Sequence, residues 1–275
     1  MENSITSSIV GGLGNQLFII FASISYGLNH IKPVSFLNTK TVCDGKFRTY
    51  WDNFLIDLKP LLKQNIKSLI QYKEPYFHYC EFPKFNKSVC LNGYFQSEKY
   101  FKNKYNEIMS LIKLRSQQEV IKAKHKYDYE NSISLHFRIG DYKNITDYHP
   151  LMPYEYYFNC IKHMMTNTCI TNILYFCQAE DNTQVSEIIK KLMNECKTIN
   201  FIKVQDNIPD WEQLLIMSCC QHNIIANSTF SWWGAYFNSN VNKIVCYPST
   251  WFGSSAKYET MDLCPDEWVR ISICI

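Results

Sequence analysis

Short runs of β-branched and aromatic residues alternate along the chain with longer segments whose apolar positions recur at helical spacing, the pattern of an α/β fold with largely parallel sheets. The runs predict strands at Ser7–Val10, Val34–Leu37, Val89–Tyr94, Ser132–Arg138, Asn172–Phe176, Phe201–Val204, Asn223–Ala226 and Lys243–Tyr247. Between them, Asn15–Asn29 places Leu17, Phe18, Phe21, Ala22, Ile24 and Leu28 on one helical face. The same spacing predicts helices over Glu98–Leu114, Tyr154–Met165, Thr183–Glu195 and Trp211–Gln221. The polar, charge-rich stretch Lys122–Asn131 reads as a linker, so two α/β lobes are expected, one over residues 1–128 and one over 129–275.

Length is consistent with that division, since 275 residues suit one large domain or two small ones. A composition of 46% hydrophobic and 19% charged residues excludes a disordered or collagen-like chain. Lys and Arg total 28 against 25 Asp and Glu, and a net charge of +3 is too balanced for a nucleic-acid binder. The 15% aromatic content suits a wide helix–sheet core as well as a carbohydrate-handling surface. Twelve cysteines include no Cys-x-x-Cys pair, and the adjacent Cys219 and Cys220 lie in an apolar, helix-like run. They read as mostly buried, reduced thiols rather than as a zinc or redox site. Met1–Ser8 lacks the basic-then-apolar layout of a signal peptide, and no run approaches the roughly 20 apolar residues of a membrane span. A soluble, cytoplasmic protein is expected.

Three segments could carry chemistry. Gly11-Gly12-Leu13-Gly14-Asn15-Gln16 follows a strand and opens a helix, where glycines permit a tight turn and free N–H groups attract anions. A dinucleotide fingerprint would need a glycine where Leu17 stands and an acid near Asn38 and Thr39, so that reading fails, while a plain strand-to-helix turn stays open. His136-Phe137-Arg138-Ile139-Gly140-Asp141-Tyr142 ends a strand whose alternation puts His136 and Arg138 on one face and Phe137 on the other. Arg138 offers paired donors to phosphate; alternatively it forms a salt bridge with Asp141 that closes the turn. The third segment runs from the strand at Asn223 through Asn227-Ser228-Thr229-Phe230-Ser231 into Trp232 and Trp233. Asn227 or Ser228 can cap the helix there, making a second anion cradle or simply a well-capped helix with its tryptophans in the core. Sugar-nucleotide enzymes that hold a divalent ion use an Asp-x-Asp pair, and the nearest approach here, Asp128-Tyr129-Glu130, lies in the expected linker. A metal-free site would neutralise a diphosphate with arginine and helix ends instead.

Together GGLGNQLF (Gly11–Phe18), NGYFQSEKYF (Asn92–Phe101), HFRIGDY (His136–Tyr142), HNIIANSTFSWWGAYFN (His222–Asn238) and the closing PSTWFG and DEWVRI resemble the α-1,2-fucosyltransferases, whose donor is GDP-L-fucose. The resemblance runs in order over nearly the whole chain. It implies a GT-B-like architecture of two Rossmann-like lobes with parallel sheets and a donor cleft between them. It also implies inverting, metal-independent transfer of fucose to O2 of a galactose-terminated acceptor glycan, with no cofactor beyond the donor. By position, Arg138 matches the arginine on the donor diphosphate, His136 the histidine at the nucleotide, and Asp141 the motif's acid, a candidate base. Asn227, Ser228, Thr229 and Ser231 match the phosphate-side loop; Gly14, Asn15 and Gln16 match the glycine loop facing the cleft; Glu212 falls beside the acidic position that opens the preceding helix. Two departures stand out: the family has two adjacent arginines, and the second is Ile139 here, and where it often has an acid opening the helix before the third motif this chain reads Glu212-Gln213. Two rival readings are a glycan-binding derivative without transfer and a transferase of another GDP-sugar or linkage.

Overall fold

The computed structural model describes residues 3–66 and 69–273. It forms two compact units, one of residues up to 116 with 258–265, the other of residues 117–257 with 266 onward.

In the first unit the elements are β1 (Ile5–Ser7), α1 (Leu13–His30), β2 (Phe36–Leu37), β3 (Thr41–Val42), β4 (Phe47–Arg48), β5 (Leu62–Lys63), β6 (Ile70–Lys73), β7 (Val89–Asn92) and α2 (Tyr105–Leu111), followed by α3 (Leu114–Lys124), which straddles the division. Three parallel strands lie in the order β1-β7-β6. On the other side of β1 the chain at Val34 bridges Ile5 in parallel and runs on into β2, which pairs with β5. Helix α1 is apolar nearly all round and buries Leu17, Phe18, Ile19, Ile20 and Phe21 completely. It ends where Ile31 adopts a left-handed conformation (φ 52°) and donates its N–H to Gly27 O, a common helix stop. Strand β1 begins two residues earlier than expected and ends at Ser7, since only Ile5–Ser7 pair with Val89–Leu91 of β7. The helix expected over Glu98–Leu114 is broken into two 3-10 turns and α2. Phe101 (φ −143°) leaves the helical path to pack against Phe18 and Phe21, at centroid distances of 6.0 and 5.5 Å.

A division at 128/129 was expected from the polar linker, whereas the units part at 116/117, within α3. Most of α3 is tied to the second unit: buried Gln118 donates to Ser218 Oγ (2.8 Å) and Phe237 O (3.2 Å), and Lys124 at the helix end bonds to Glu212 of that unit (2.7 and 2.8 Å).

The second unit comprises β8 (Ser132–His136), α4 (Tyr154–Asn167), β9 (Asn172–Phe176), α5 (Asn182–Glu195), β10 (Asn200–Lys203), α6 (Asp210–Cys219), β11 (His222–Ile224), α7 (Thr229–Tyr236), β12 (Val245–Pro248) and β13 (Val269–Ile271). Its six strands are all parallel in the order β10-β9-β8-β11-β12-β13. That order is the 3-2-1-4-5-6 of a doubly wound sheet. All five residues of β8 are buried, as expected of a central parallel strand. Ile133, Leu135, Phe137 and Ile139 share one core with Tyr156, Tyr157 and Ile161 of α4 and with Val185 and Leu192 of α5. Both units are thus parallel α/β layers, in keeping with the Rossmann-like lobes expected. Strands β6 and β13 escaped the sequence reading: β6 is an edge strand with mostly exposed residues, and β13 has only three.

Buried cysteines are fewer than expected. Cys160, Cys196, Cys220 and Cys246 are in the core, Cys43 and Cys169 are exposed, and the described cysteines are all free thiols. No helix of the described residues is long and apolar enough to cross a membrane.

Candidate active site

In a doubly wound sheet, the loops after the first and fourth strands in that order splay apart at the carboxyl edge and leave a crevice where the chain switches direction. Here those strands are β8 and β11, so the switch point lies between the HFRIGDY loop and the ANSTFS loop. The topology therefore brings two of the three chemical segments to one place. A hydrogen bond from the Tyr142 hydroxyl to Asn227 O (3.2 Å) joins them.

Arg138 follows β8 directly. The pairing of His136 with Phe176, continued by Phe137 N to Phe176 O (2.8 Å), sets Arg138 beside Gln178, and the guanidinium Nη1 donates to Gln178 Oε1 at 2.7 Å. Nη2 donates to Asp141 Oδ1, and the guanidinium lies 4.4 Å from the centre of the Tyr142 ring. Tyr142 in turn stacks on His149 at 4.4 Å with 12° between the planes. Three partners of different chemistry hold the guanidinium, yet its side chain remains 23% exposed. The salt bridge anticipated as the plain reading is present, and Asp141 is 60% exposed.

The turn beneath is held from the neighbouring strand. Buried Asp181, at the start of α5, accepts from Gly140 N (2.7 Å) and from Lys143 Nζ (2.6 Å). Gly140 has φ +33°, and a side chain there would collide with Gln178 Oε1 and Arg138 Nη1. Gln178, Asp181 and Lys143 were missed by sequence reasoning. The available signal was that the Gln178–Asp181 stretch follows a strand at the same offset as the Arg138 loop.

His136 is 8% exposed, with its ring 5.5 Å from that of Phe230. Burial, with the Arg138 charge adding to it, pushes its imidazole down to about 3, so it is neutral at pH 7. Burial likewise lowers His149, with Arg138 contributing, and raises the Tyr142 phenol. His136 Nδ1, His149 Nδ1 and Asn227 Oδ1 are buried without a hydrogen-bond partner. Both histidines lie close enough to Arg138 to feel its charge, and each has a ring nitrogen without a partner within the described residues.

On the opposite loop, Ser228 caps α7 by accepting from Phe230 N (3.3 Å), and Ser231 Oγ returns a bond to Ser228 O (3.3 Å). Thr229 is half-buried as the first residue of that helix. Asn227 differs from the expectation of a phosphate contact. Its side chain is wholly buried and Nδ2 donates inward to Pro150 O (3.0 Å) and Trp251 O (3.1 Å), stitching loops together. Trp232 and Trp233 are core residues. Ile139 is 4% exposed within the core, so the position of the family's second arginine is filled by packing.

Glu212, expected among the donor contacts, belongs to another cluster. It is buried on α6 and bonded to Lys124 Nζ (2.7 and 2.8 Å), with His125 Nε2 at 2.7 Å. Burial pushes its carboxyl up, but the bonds and charges of Lys124 and His125 outweigh that and hold it below the ordinary range. In the first unit, Gly14 and Gln16 are buried in the opening of α1 and Asn15 is half-buried. Gln16 Nε2 donates to Gly11 O and Arg48 O, both at 2.8 Å, so this amide braces its own loop. Asn15 Oδ1 accepts from Gln96 Nε2 (3.1 Å). Among the described residues no group of three or more His, Cys, Asp or Glu is placed to hold a metal ion. A cavity of about 390 Å³ in the second unit, lined by Gln118, Tyr129, Gln221 and Asn238 among others, opens at the amino ends of β8 and β11, away from Arg138.

With this geometry in place, the chain belongs to glycosyl transferase family 11, whose model matches residues 16–272. An Escherichia coli α-1,2-colitosyltransferase is 30% identical over 67% of this chain, which spans 63% of that protein's length. The Escherichia coli O-antigen biosynthesis glycosyltransferase WbnK is 28% identical over 77% of this chain and 69% of its own. Among solved structures, a mutant of Arabidopsis thaliana FUT1 in complex with GDP aligns with a TM-score of 0.49 and 11% identity, covering 96% of this chain and 76% of that one.

Proposed function

We propose that this chain is an inverting, metal-independent transferase that moves L-fucose from GDP-β-L-fucose to O2 of a terminal β-galactoside. The observation that carries the reading is the Arg138 guanidinium, held by Asp141, Gln178 and the Tyr142 ring at the switch point of a parallel sheet in a family 11 chain.

In the reaction the bond from the fucose C1 to the phosphate oxygen breaks with its electron pair going to GDP, and the acceptor O2 bonds to C1 from the opposite face as it loses its proton. Charge builds on the diphosphate, so stabilising it there is the main catalytic demand. Arg138 meets that demand with planar donors already oriented by its neighbours, and the opening of α7 adds N–H groups and the Ser228 and Thr229 hydroxyls. Neutral His136 lies at the nucleotide as a hydrogen-bonding group that adds no charge. Asp141 spends one oxygen on Arg138, and its other oxygen, which makes no hydrogen bond among the described residues on a side chain 60% exposed, is available for the acceptor's proton. No cofactor other than the donor is required. The likeness to the colitosyltransferase favours a second reading, an α-1,2 transfer of a colitosyl group through the same site.

The test is incubation of the purified protein with GDP-fucose and a panel of galactose-terminated acceptors, with and without EDTA, followed by linkage analysis. An α-1,2-fucosylated product insensitive to EDTA is expected. Product only from a colitosyl donor moves the reading to the second, and loss of activity in EDTA overturns the metal-free mechanism.

A further inference from the structure

The first unit carries a switch point of its own. From β1 the chain passes to Val34 and β2 on one side, then returns through β6 and β7 on the other, so the loops after β1 and β7 flank the crevice position. The residues brought together there are Asn15 and Gln96, joined by the 3.1 Å amide bond. Gln96 is 7% exposed and follows a turn of unusual backbone: buried Phe95 has φ 52°, and at Gly93 a side chain would strike Glu74. A bulky residue in the left-handed region is strained and persists only where its surroundings impose it.

Glu74, the residue after β6, imposes it. Oε2 accepts from Tyr94 N at 2.7 Å, Phe95 N lies 3.0 and 3.1 Å from the two carboxylate oxygens, and the Tyr100 hydroxyl is 3.5 Å from Oε1. Two successive backbone N–H groups around an anion form a nest, filled here by the protein's own carboxylate. We propose that Glu74 is a positioning residue of the acceptor side: it clamps the turn at 93–95 so that Gln96, and through it Asn15, present their amides to the hydroxyls of the acceptor sugar. This rests on the transferase reading above and adds to it a residue outside the motifs.

The titratable groups packed around Glu74 are Tyr72 of β6, Tyr100 and the Cys80 thiol, whose backbone N–H donates to Tyr100. Burial pushes both phenols up, so they stay neutral near pH 7. Burial also pushes the Glu74 carboxyl up to about 7, against the pull of the Phe95 and Tyr94 N–H groups and the Tyr100 hydroxyl. Proton uptake as pH falls through that value replaces an accepting oxygen with an O–H facing an N–H, and the clamp loosens.

The experiment is steady-state kinetics with GDP-fucose and methyl β-D-galactoside, together with amide hydrogen exchange at Tyr94 and Phe95. Glu74→Gln is expected to raise the acceptor KM about tenfold, the effect of one lost charged hydrogen bond, with GDP affinity unchanged. Wild-type protein is expected to show the same rise between about pH 8 and about pH 6, where Glu74→Gln is flat, and Gln96→Ala is expected to reproduce the higher KM. A folded Glu74→Gln protein with wild-type acceptor KM, or a wild-type KM constant over that pH range, overturns the proposal. If Glu74→Gln does not fold, the wild-type pH profile and Gln96→Ala decide. Wild-type protein that transfers nothing to any galactoside refutes the transferase reading instead. The clamp is then judged by exchange at Phe95, which Glu74→Gln must accelerate, and by calorimetric binding of the galactoside, which it must weaken.

Discussion

The loop after β1 and the loop after β8 share a plan in which a short parallel strand ends, a glycine turns the chain at positive φ, and a helical segment begins. Their polar side chains are used in opposite ways. After β1, Gln16 is completely buried and spends both N–H bonds on carbonyls of its own unit. After β8, Arg138 keeps part of its surface in the open while Gln178, Asp141 and Tyr142 set its direction. An amide has two donors and can satisfy them inward, whereas a charged guanidinium with five is costly to bury whole and stays partly presented. Asn227, though in the second unit, sides with Gln16. Motif residues equally prominent in the sequence thus divide into those that build a loop and those that the loop displays.

The sharpest break of that comparison is Arg138→Ala, expected to lower turnover of GDP-fucose by about 10²–10³ while leaving the circular dichroism spectrum and melting temperature near wild type. Arg138→Lys is expected to recover little of it, because a point charge cannot make paired planar bonds. Near-normal turnover in folded Arg138→Ala protein would place Arg138 with the scaffold.

Asn227→Ala and Gln16→Ala should do the reverse. Each removes two inward hydrogen bonds, so a loss of about 1–3 kcal/mol in denaturant unfolding is expected, with GDP affinity in the remaining folded protein little changed. A large fall in GDP affinity at unchanged stability would move Asn227 to the displayed group.

Tyr142 separates ring from hydroxyl. Tyr142→Phe keeps the surface under the guanidinium and loses the hydroxyl that bonds Asn227 O and meets Arg138, so turnover should fall by no more than about threefold. Tyr142→Ala removes the ring and should cost about 0.5–2 kcal/mol of transition-state stabilisation, seen in kcat/KM.

The smallest effect is on stability against pH. His136 is held neutral with its pKa lowered from 6.5 to about 3, so below pH 6.5 the unfolded chain binds a proton that the native protein does not. Stability is therefore full above about pH 6.5 and falls as pH drops toward 3, at a limiting slope of about 1.4 kcal/mol per pH unit for this one group. His136→Gln should flatten the slope measured by chemical denaturation between about pH 6 and 5, leaving the parts due to His149 and His222, which burial lowers as well.

Much of this site was legible before the fold. Period-two alternation put His136 and Arg138 opposite Phe137, and the small hydroxyl residues after Ile225 announced the cap that Ser228 provides. The roles of Gln178 and Asp181 were not legible, because they meet Arg138 and Gly140 only when β9 lies beside β8, about 40 residues away.

 Glu74 was invisible for the same reason: nothing in the residues around it says that the N–H groups it accepts from lie about 20 positions further on, after the neighbouring strand. The inward turn of Gln16 and Asn227 was not legible either, since an amide next to a glycine or a helix cap looks the same whether it faces a ligand or a carbonyl.

By itself, the sequence determined the buried strands of the two sheets, most of the helices, which side chains share a face at the end of β8, and the family to which the chain belongs. These follow from periodicity and local chemistry, which act over a few residues. The tertiary structure alone decided which strands are neighbours, and with that which side chain orients the arginine, which carboxylate fills the backbone nest after β7, and which amides are consumed as braces. In a parallel sheet, residues in contact are separated by a whole crossover helix or loop, so their pairing is a property of the folded layer rather than of any stretch of chain.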